Sequence, residues 1–109
     1  MKRVRTYSPL TLEAARLLGL RVRQARLDRR WTVQELADRV GVSVVTMRKV
    51  ERGSPTVALG AAFEAAALVG VPLFDEDQAR RSLEAARVED RLAVLPQSAR
   101  KPRRPDDAF

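Results

Sequence analysis

The feature that most constrains the fold is the pattern of helix starts and stops between Thr32 and Gly53. Thr32 can cap a helix with its hydroxyl, and Glu35, three residues later, can reach back to the Thr32 amide to complete a capping box. Gly41 provides the left-handed conformation that commonly ends a helix, without the steric penalty of a Cβ atom. Ser43 can cap a second helix that Gly53 ends. The pattern predicts two short helices joined by a tight turn.

Apolar residues at helical spacing predict which faces of this stretch are buried. We expect the second helix to run from about Val44 to Glu51. Two helices this short are marginal alone, so they need neighbouring helices against which to pack. The inward positions share i,i+3 or i,i+4 spacing or lie in the turn, and they are Leu36, Val40, Val42, Met47 and Val50.

The stretch resembles the helix-turn-helix of the phage-repressor and Cro-like (XRE) family. The residues that carry the resemblance are Thr32, Glu35, Leu36, Ala37, Gly41, Val42, Ser43, Thr46, Met47, Val50, Glu51 and Gly53. The resemblance implies an all-α fold, a five-helix Cro/C1-repressor-like domain followed by a C-terminal extension and a disordered tail. The alternative is a helical hairpin that never touches nucleic acid, which the agreement of small residues, turn glycine and spacing disfavours.

The chain divides by composition into four segments. These are a basic flexible arm at 1–8, the helix-turn-helix domain at 9–74, an extension suited to dimerisation at 75–95, and a Pro/Arg-rich tail at 96–109 that we expect to be disordered. Ser8 and Pro9 predict the start of the first helix. Gly19 leaves open whether that run is one kinked helix or two helices. The run 91–95 could end a helix, or form a strand that pairs with its copy in a dimer.

Several expectations concern packing around the central stretch. Trp31 precedes the first cap, so it should act as a hydrophobic staple on the helix that follows, rather than as a base-stacking residue. Thr56 can cap the next helix, and Pro72 suits the first turn of another. Phe63 and Phe74 are expected to fill the core.

The composition excludes several kinds of chemistry. The chain has no cysteine and no histidine, which removes disulfides, thiolate metal sites, thiol nucleophiles and the usual near-neutral general base. A metal site made of Asp75, Glu76 and Asp77 is conceivable, but consecutive acids point in different directions and more often open a helix. We therefore expect no enzyme activity, no cofactor and no metal.

The charge of the chain favours polyanionic partners. Lys and Arg number 21 against 14 Asp and Glu, a net charge of +7, and such an excess attracts phosphates and releases their counterions. The sequence has neither an apolar run of membrane-spanning length nor a secretory leader, so we expect a cytoplasmic protein without membrane contact. With the helix-turn-helix resemblance, the charge indicates double-stranded DNA as the partner.

The resemblance also implies which residues meet DNA. The base-reading positions are Val44, Val45 and Arg48, and the phosphate-binding positions are Gln34, Thr46, Lys49 and Arg52. Arg48 could hold a guanine through its O6 and N7 atoms. Val44 and Val45 depart from the polar residues common at these positions, and they could instead pack against protein.

A structural pair is implied as well. In the family, a basic residue at the position of Arg26 commonly pairs with the glutamate that ends the recognition helix, here Glu51. The pair would be partly buried and would tie the first helix to the third. The alternative is that Arg26 is one more solvated or phosphate-facing arginine.

Proteins of this kind normally act as homodimers on pseudo-palindromic operators, with recognition helices about 34 Å apart. A single such domain with a basic, proline-rich tail resembles the HipB-like antitoxins, which repress their own operon and bind a HipA-like Ser/Thr kinase toxin. A stand-alone XRE-family repressor is the first alternative. The alternative from another class is an adaptor that bridges proteins or holds RNA by charge.

Overall fold

The computed structural model describes residues 6–99 and contains five α-helices in that range, without a β-strand there. The helices are α1 (Pro9–Asp28), α2 (Val33–Val40), α3 (Val44–Glu51), α4 (Leu59–Leu68) and α5 (Gln78–Val94). The predicted all-α, five-helix architecture is confirmed. The expectations for residues 1–5 of the arm and 100–109 of the tail lie outside the described residues. No helix between residues 6 and 99 combines the length and apolar character that a bilayer crossing requires.

The chain divides into two compact units, Met1–Phe74 and Asp75–Phe109. Helices α1–α4 belong to the first unit, and so does every residue between 6 and 99 that is buried. Within the described part of the second unit α5 is the only helix, and none of its residues is buried. Helix α5 continues to Val94, so most of the run 91–95 is the last turn of a helix and not a strand.

The boundaries of α2 and α3 follow the predicted caps. The Thr32 hydroxyl accepts a hydrogen bond from the Glu35 amide at 3.1 Å, and the Glu35 carboxylate accepts one from the Thr32 amide at 3.5 Å. Gly41 ends α2 with a left-handed φ of 85°. The Ser43 hydroxyl accepts from the Thr46 amide at 3.1 Å and caps α3. The two helices and the turn predicted from the sequence are confirmed.

Helix α1 is continuous through Gly19, so the two-helix alternative is wrong. The Ser8 hydroxyl caps its start by accepting from the Thr11 amide at 3.2 Å. Gly19 is buried where α1 passes the end of α3: a Cβ atom there would lie 2.5 Å from the Val50 carbonyl oxygen and 2.6 Å from that of Glu51. The glycine therefore permits a close crossing of two backbones instead of breaking the helix.

The core of the first unit lies among its four helices. The largest fully buried side chains are Leu36, Met47, Val22 and Val69. Burying a side chain of this size contributes about 1.5–3 kcal/mol, so these four supply much of the stabilisation. Three alanines of α4 and one of α2 are also buried and keep those helices close, namely Ala62, Ala65, Ala66 and Ala37.

The expectations for the aromatic residues after α3 are only partly met. Phe63 is half-buried, but Phe74 is 73% exposed, so its predicted place in the core is wrong. The chain leaves α4 through Gly70, which has a left-handed φ of 78°, and Val71 after it belongs to the buried core. Residues 71–74 then form no helix, so Pro72 starts no first turn and Phe74 is carried into solvent.

The predicted cap of α4 is also wrong. The residue at the capping position is Ala58, which provides no side-chain hydrogen bond. Thr56 lies two residues too early to serve the first turn, and its hydroxyl instead lies 3.1 Å from that of Ser54. The helix is therefore held by its buried alanine face rather than by a cap.

We expect Gly19→Ala to lower the free energy of unfolding by about 1–3 kcal/mol, because the new methyl group forces α1 and α3 apart. The strain outweighs the roughly 1 kcal/mol by which alanine stabilises a helix relative to glycine. Urea denaturation followed by circular dichroism measures the difference. Gly60→Ala is the matched control, since a Cβ atom there meets nothing within 4 Å. Equal responses of the two variants would show that the crossing tolerates a side chain.

Candidate nucleic-acid interface

Helix α3 has one face against the core and another in solvent. Met47 and Val50 are buried. Val45, Arg48 and Lys49 are exposed, and their i,i+3 and i,i+4 spacing places them on one side of the helix. We call these three residues the α3 outer face. It presents one apolar and two cationic side chains without cover from the rest of the described chain.

The structure separates the two valines that begin α3. Val45 is 62% exposed, whereas Val44 is half-buried and packs against the core cluster. Thr46 is half-buried too, and its side-chain oxygen accepts a hydrogen bond from the Ser43 hydroxyl at 3.1 Å. Of the three predicted base-reading residues, Val45 and Arg48 therefore project furthest into solvent.

A groove between α1, α2 and α3 adjoins the α3 outer face. Its lining residues are Arg23, Arg26, Thr32, Val33, Gln34, Val44, Arg48, Glu51 and Arg52. The lining thus holds four arginines and one carboxylate, and that carboxylate is engaged by Arg26. Among residues 6–99, Arg23, Arg48 and Arg52 have no salt-bridge partner, and all three are exposed. We call this surface the cationic groove.

The first turn of α2 contributes polar groups to the cationic groove. Thr32 and Gln34 both line it, and the positive end of a helix dipole favours an anion at this place. The Gln34 side-chain amide donates to the Asp38 carboxylate at 2.7 Å. An amide nitrogen has two hydrogens, so Gln34 retains one donor for a phosphate oxygen.

Arg26 and Glu51 form a buried, bidentate ion pair. Arg26 Nε donates to Glu51 Oε2 at 2.7 Å, and Nη2 donates to Oε1 at 2.9 Å. Arg26 Nη1 donates at 2.8 Å to the carbonyl oxygen of Trp31. One guanidinium therefore joins α1, the last residue of α3 and the segment that leads into α2. The structure places this pair where the family resemblance implies it.

Trp31 packs against the core cluster and is half-buried. The guanidinium carbon of Arg39 lies 4.2 Å from the ring centroid, and that of Arg29 lies 5.9 Å away. Both distances are within the range of cation–π contacts. The indole thus stabilises the joint between α1 and α2, and its ring is occupied by protein groups rather than presented for base stacking.

Arg23 lines the cationic groove, although no motif in the sequence marks it as a DNA-contacting residue. It lies on α1 three residues before Arg26, so the two side chains share one side of the helix. The implied pairing of Arg26 with Glu51 already placed that side of α1 beside the end of α3. Helical spacing from Arg26 was therefore the signal that could have identified Arg23.

The aspartates just before α5 accept hydrogen bonds from backbone amides. Asp77 Oδ1 accepts from the Ala79 amide at 2.9 Å and caps α5, while Asp75 Oδ1 accepts from the Asp77 amide at 2.9 Å. Arg81 Nη1 donates to the carbonyl oxygens of Asp75 and Glu76. No group of three or more acidic residues placed to hold a metal ion occurs between residues 6 and 99.

Comparison with known families agrees with this geometry. Residues 17–81 match a family model described as a helix-turn-helix domain. The match covers more than half of the chain and includes every residue that lines the cationic groove. No curated protein matches the chain.

We expect Glu51→Ala to lower the free energy of unfolding by about 3–5 kcal/mol, because it leaves a buried guanidinium without its counter-charge. Thermal and urea denaturation measure the loss. Glu64→Ala removes an exposed carboxylate from α4 and should change stability by less than about 0.5 kcal/mol. The double variant Arg26→Met, Glu51→Met should recover most of the loss, since no buried charge remains. If Glu51→Ala behaves like Glu64→Ala, the pair does not hold α1 to α3.

Proposed function

The chain belongs to the XRE-type helix-turn-helix family, and from that premise we propose that it is a sequence-specific repressor of transcription that binds double-stranded DNA. The observation that supports the proposal best is the α3 outer face beside the cationic groove. A duplex offers a major groove wide enough for one helix, flanked by rows of phosphates. An exposed helix face bordered by unpaired arginines is complementary to that surface.

Sequence readout falls to Arg48 and Val45. Arg48 can donate two hydrogen bonds to the O6 and N7 atoms of a guanine, a contact that contributes about 1–3 kcal/mol of discrimination against other bases. Val45 can contact a thymine methyl group but cannot distinguish donors from acceptors. Val44, which packs against the core, positions the start of α3 and contributes less to readout.

Phosphate contacts come from both sides of α3. Arg23 and Gln34 line the cationic groove from α1 and α2, and Arg52 lines it just beyond the end of α3. Lys49 and the hydroxyl of Thr46 lie along α3 itself. These contacts orient the protein on the duplex, and they make its affinity depend on salt through counterion release.

The repressor acts as a homodimer on a pseudo-palindromic operator. One helix-turn-helix covers few base pairs, and a two-fold pair places its recognition helices about 34 Å apart on one side of the duplex. Residues 78–95 and the exposed part of α4 are the proposed contact. Helix α5 supports this, since Leu83, Val88 and Leu92 are all more than half exposed. Sedimentation velocity tests it: a chain that stays monomeric on its operator contradicts the dimer.

The finer form of the proposal is that the chain is a HipB-like antitoxin, which represses its own operon and neutralises a HipA-like Ser/Thr kinase toxin. A helix-turn-helix domain followed by a basic, proline-rich segment supports this form, and a stand-alone repressor is the alternative. The test is the neighbouring gene: a kinase-like product that copurifies with this chain supports the antitoxin. A neighbour without a toxin leaves the stand-alone repressor.

We expect Arg48→Ala to weaken binding to a selected operator by about tenfold or more, with little change on random DNA, because one base contact contributes about 1–3 kcal/mol. Arg52→Ala and Arg23→Ala should weaken binding to both DNAs and lower the salt slope by about 1 each. Filter binding at two salt concentrations measures both quantities.

Arg21→Ala provides the matched control, because it removes an exposed arginine from α1, outside both the cationic groove and the proposed dimer contact. It should leave the operator affinity within about twofold. If Arg48→Ala loses as much affinity for random DNA as for the operator, as Arg52→Ala does, Arg48 does not read bases. If binding to the operator is lost at physiological salt, the charge-driven adaptor is the better account.

A further inference from the structure

The first turn of α3 presents one apolar side chain to solvent. Val45 is 62% exposed, whereas Val44 packs against the core cluster and Met47 is fully buried. Val45 shares the α3 outer face with Arg48 and Lys49, which follow it by three and four residues. On a duplex bound through this face, Val45 therefore lies against the base edges of the major groove.

The polar side chains next to Val45 are engaged in the cap of α3. The Ser43 hydroxyl accepts from the Thr46 amide and donates to Thr46 Oγ1, both at 3.1 Å. A hydroxyl has a single proton, so Ser43 has no donor left for a base edge. Thr46 is half-buried, and its own hydroxyl proton suits the phosphate contact proposed for it. At this end of α3, readout therefore falls to Val45, which can neither donate nor accept a hydrogen bond.

The major groove offers one apolar group to such a side chain. Thymine carries a methyl group on C5 at the groove edge, whereas the distinguishing atoms of the other bases are hydrogen-bond donors and acceptors. Val45 gains from contact with that methyl and from no other group of the base edge. 5-Methylcytosine carries the same methyl on the same carbon. To Val45 the two bases are therefore alike, although one has an oxygen on C4 and the other an amino group.

We propose that Val45 reads a pyrimidine 5-methyl group rather than a particular base pair. The inference rests on the proposed docking of α3 in the major groove. One position of each operator half-site then accepts thymine or 5-methylcytosine, and binding weakens with uracil or cytosine. Methylation of a cytosine at that position raises the affinity of the chain without a change in the base sequence.

Arg48 fixes where the methyl group lies. Cβ atoms three residues apart on a helix are about 5–6 Å apart, and successive nucleotides of one strand are separated by about 3.4 Å along the duplex. The methyl that Val45 contacts therefore lies one or two base pairs from the guanine that Arg48 holds. A half-site thus contains a guanine read by hydrogen bonds and, within two base pairs, a pyrimidine read by its methyl group.

The size of the effect follows from the burial of a single methyl group. Removing one buried methyl lowers an affinity by about fourfold. Two half-sites contribute separately, so removal of the methyl from both lowers the affinity by about fifteenfold. Lys49 differs in kind, because a phosphate contact is the same on every sequence and contributes one common factor.

Selection of operators from random DNA by the full chain, followed by substitution of single bases, tests the proposal. The thymine near the selected guanine is replaced in both half-sites by uracil, 5-methylcytosine or cytosine, each opposite its complementary purine. Uracil differs from thymine, and cytosine from 5-methylcytosine, by the methyl group alone. We expect thymine and 5-methylcytosine to bind within about twofold of each other, and each unmethylated base to bind about fifteenfold more weakly than its methylated counterpart. Fluorescence anisotropy of labelled DNA measures the four affinities.

Variants of the chain assign the contact to one side chain. Val45→Ala should reduce the difference between the methylated and unmethylated DNAs to within about twofold, because the shorter side chain leaves the methyl uncovered. Lys49→Ala is the matched control, since Lys49 is exposed on the same face of α3. It should weaken binding to all four DNAs by one common factor and leave the fifteenfold difference intact. Circular dichroism shows that each variant retains its helices.

Three results would overturn the methyl reading and leave the DNA-binding function in place. The first is equal affinity for the thymine and uracil operators. The second is a 5-methylcytosine operator that binds no better than the cytosine operator, which would mean that the base edge is read through its hydrogen-bonding groups. The third is a methyl dependence that persists in Val45→Ala. A selection that yields no preferred sequence is a different outcome, since it contradicts the proposed function itself and the methyl reading with it.

Discussion

The orientation of α3 depends on one buried ion pair. Arg26 holds the last residue of α3 with two hydrogen bonds and the segment before α2 with a third. Such pairs contribute little net stability, because burying both charges costs about as much as their attraction returns. Their directional bonds instead select one arrangement of the helices. Glu51 and Trp31 are thereby held at fixed positions around a single guanidinium, and this sets the direction in which the α3 outer face points.

The same pair shapes the electrostatics of the cationic groove. Among the described residues, Glu51 is the only carboxylate that lines it, and Arg26 satisfies both of its oxygens. The other arginines of the lining, Arg23, Arg48 and Arg52, therefore act without a competing acid. Helix α1 contributes to this arrangement twice, since Arg26 holds Glu51 and Arg23, one turn earlier, lines the groove.

The parts of the fold that follow from local chemistry could be predicted from the sequence. The caps at Thr32 and Ser43 and the left-handed Gly41 depend on neighbouring residues alone, and they fixed α2 and α3. Features decided by distant parts of the chain could not be predicted in the same way. Phe74 looked like a core residue because it is apolar, but in the structure Val71 is buried while Phe74 lies in solvent. The family pattern likewise indicated the α3 face, whereas only the fold distinguishes Val44 from Val45.

The position of Trp31 gives the molecule an internal optical reporter. The chain has a single tryptophan, and its ring lies against the Arg39 guanidinium at the joint between α1 and α2. The emission of an indole shifts with the polarity and charge around it. Fluorescence from this one residue, excited without any label, therefore follows the opening of that joint separately from the melting of α5, which contains no tryptophan.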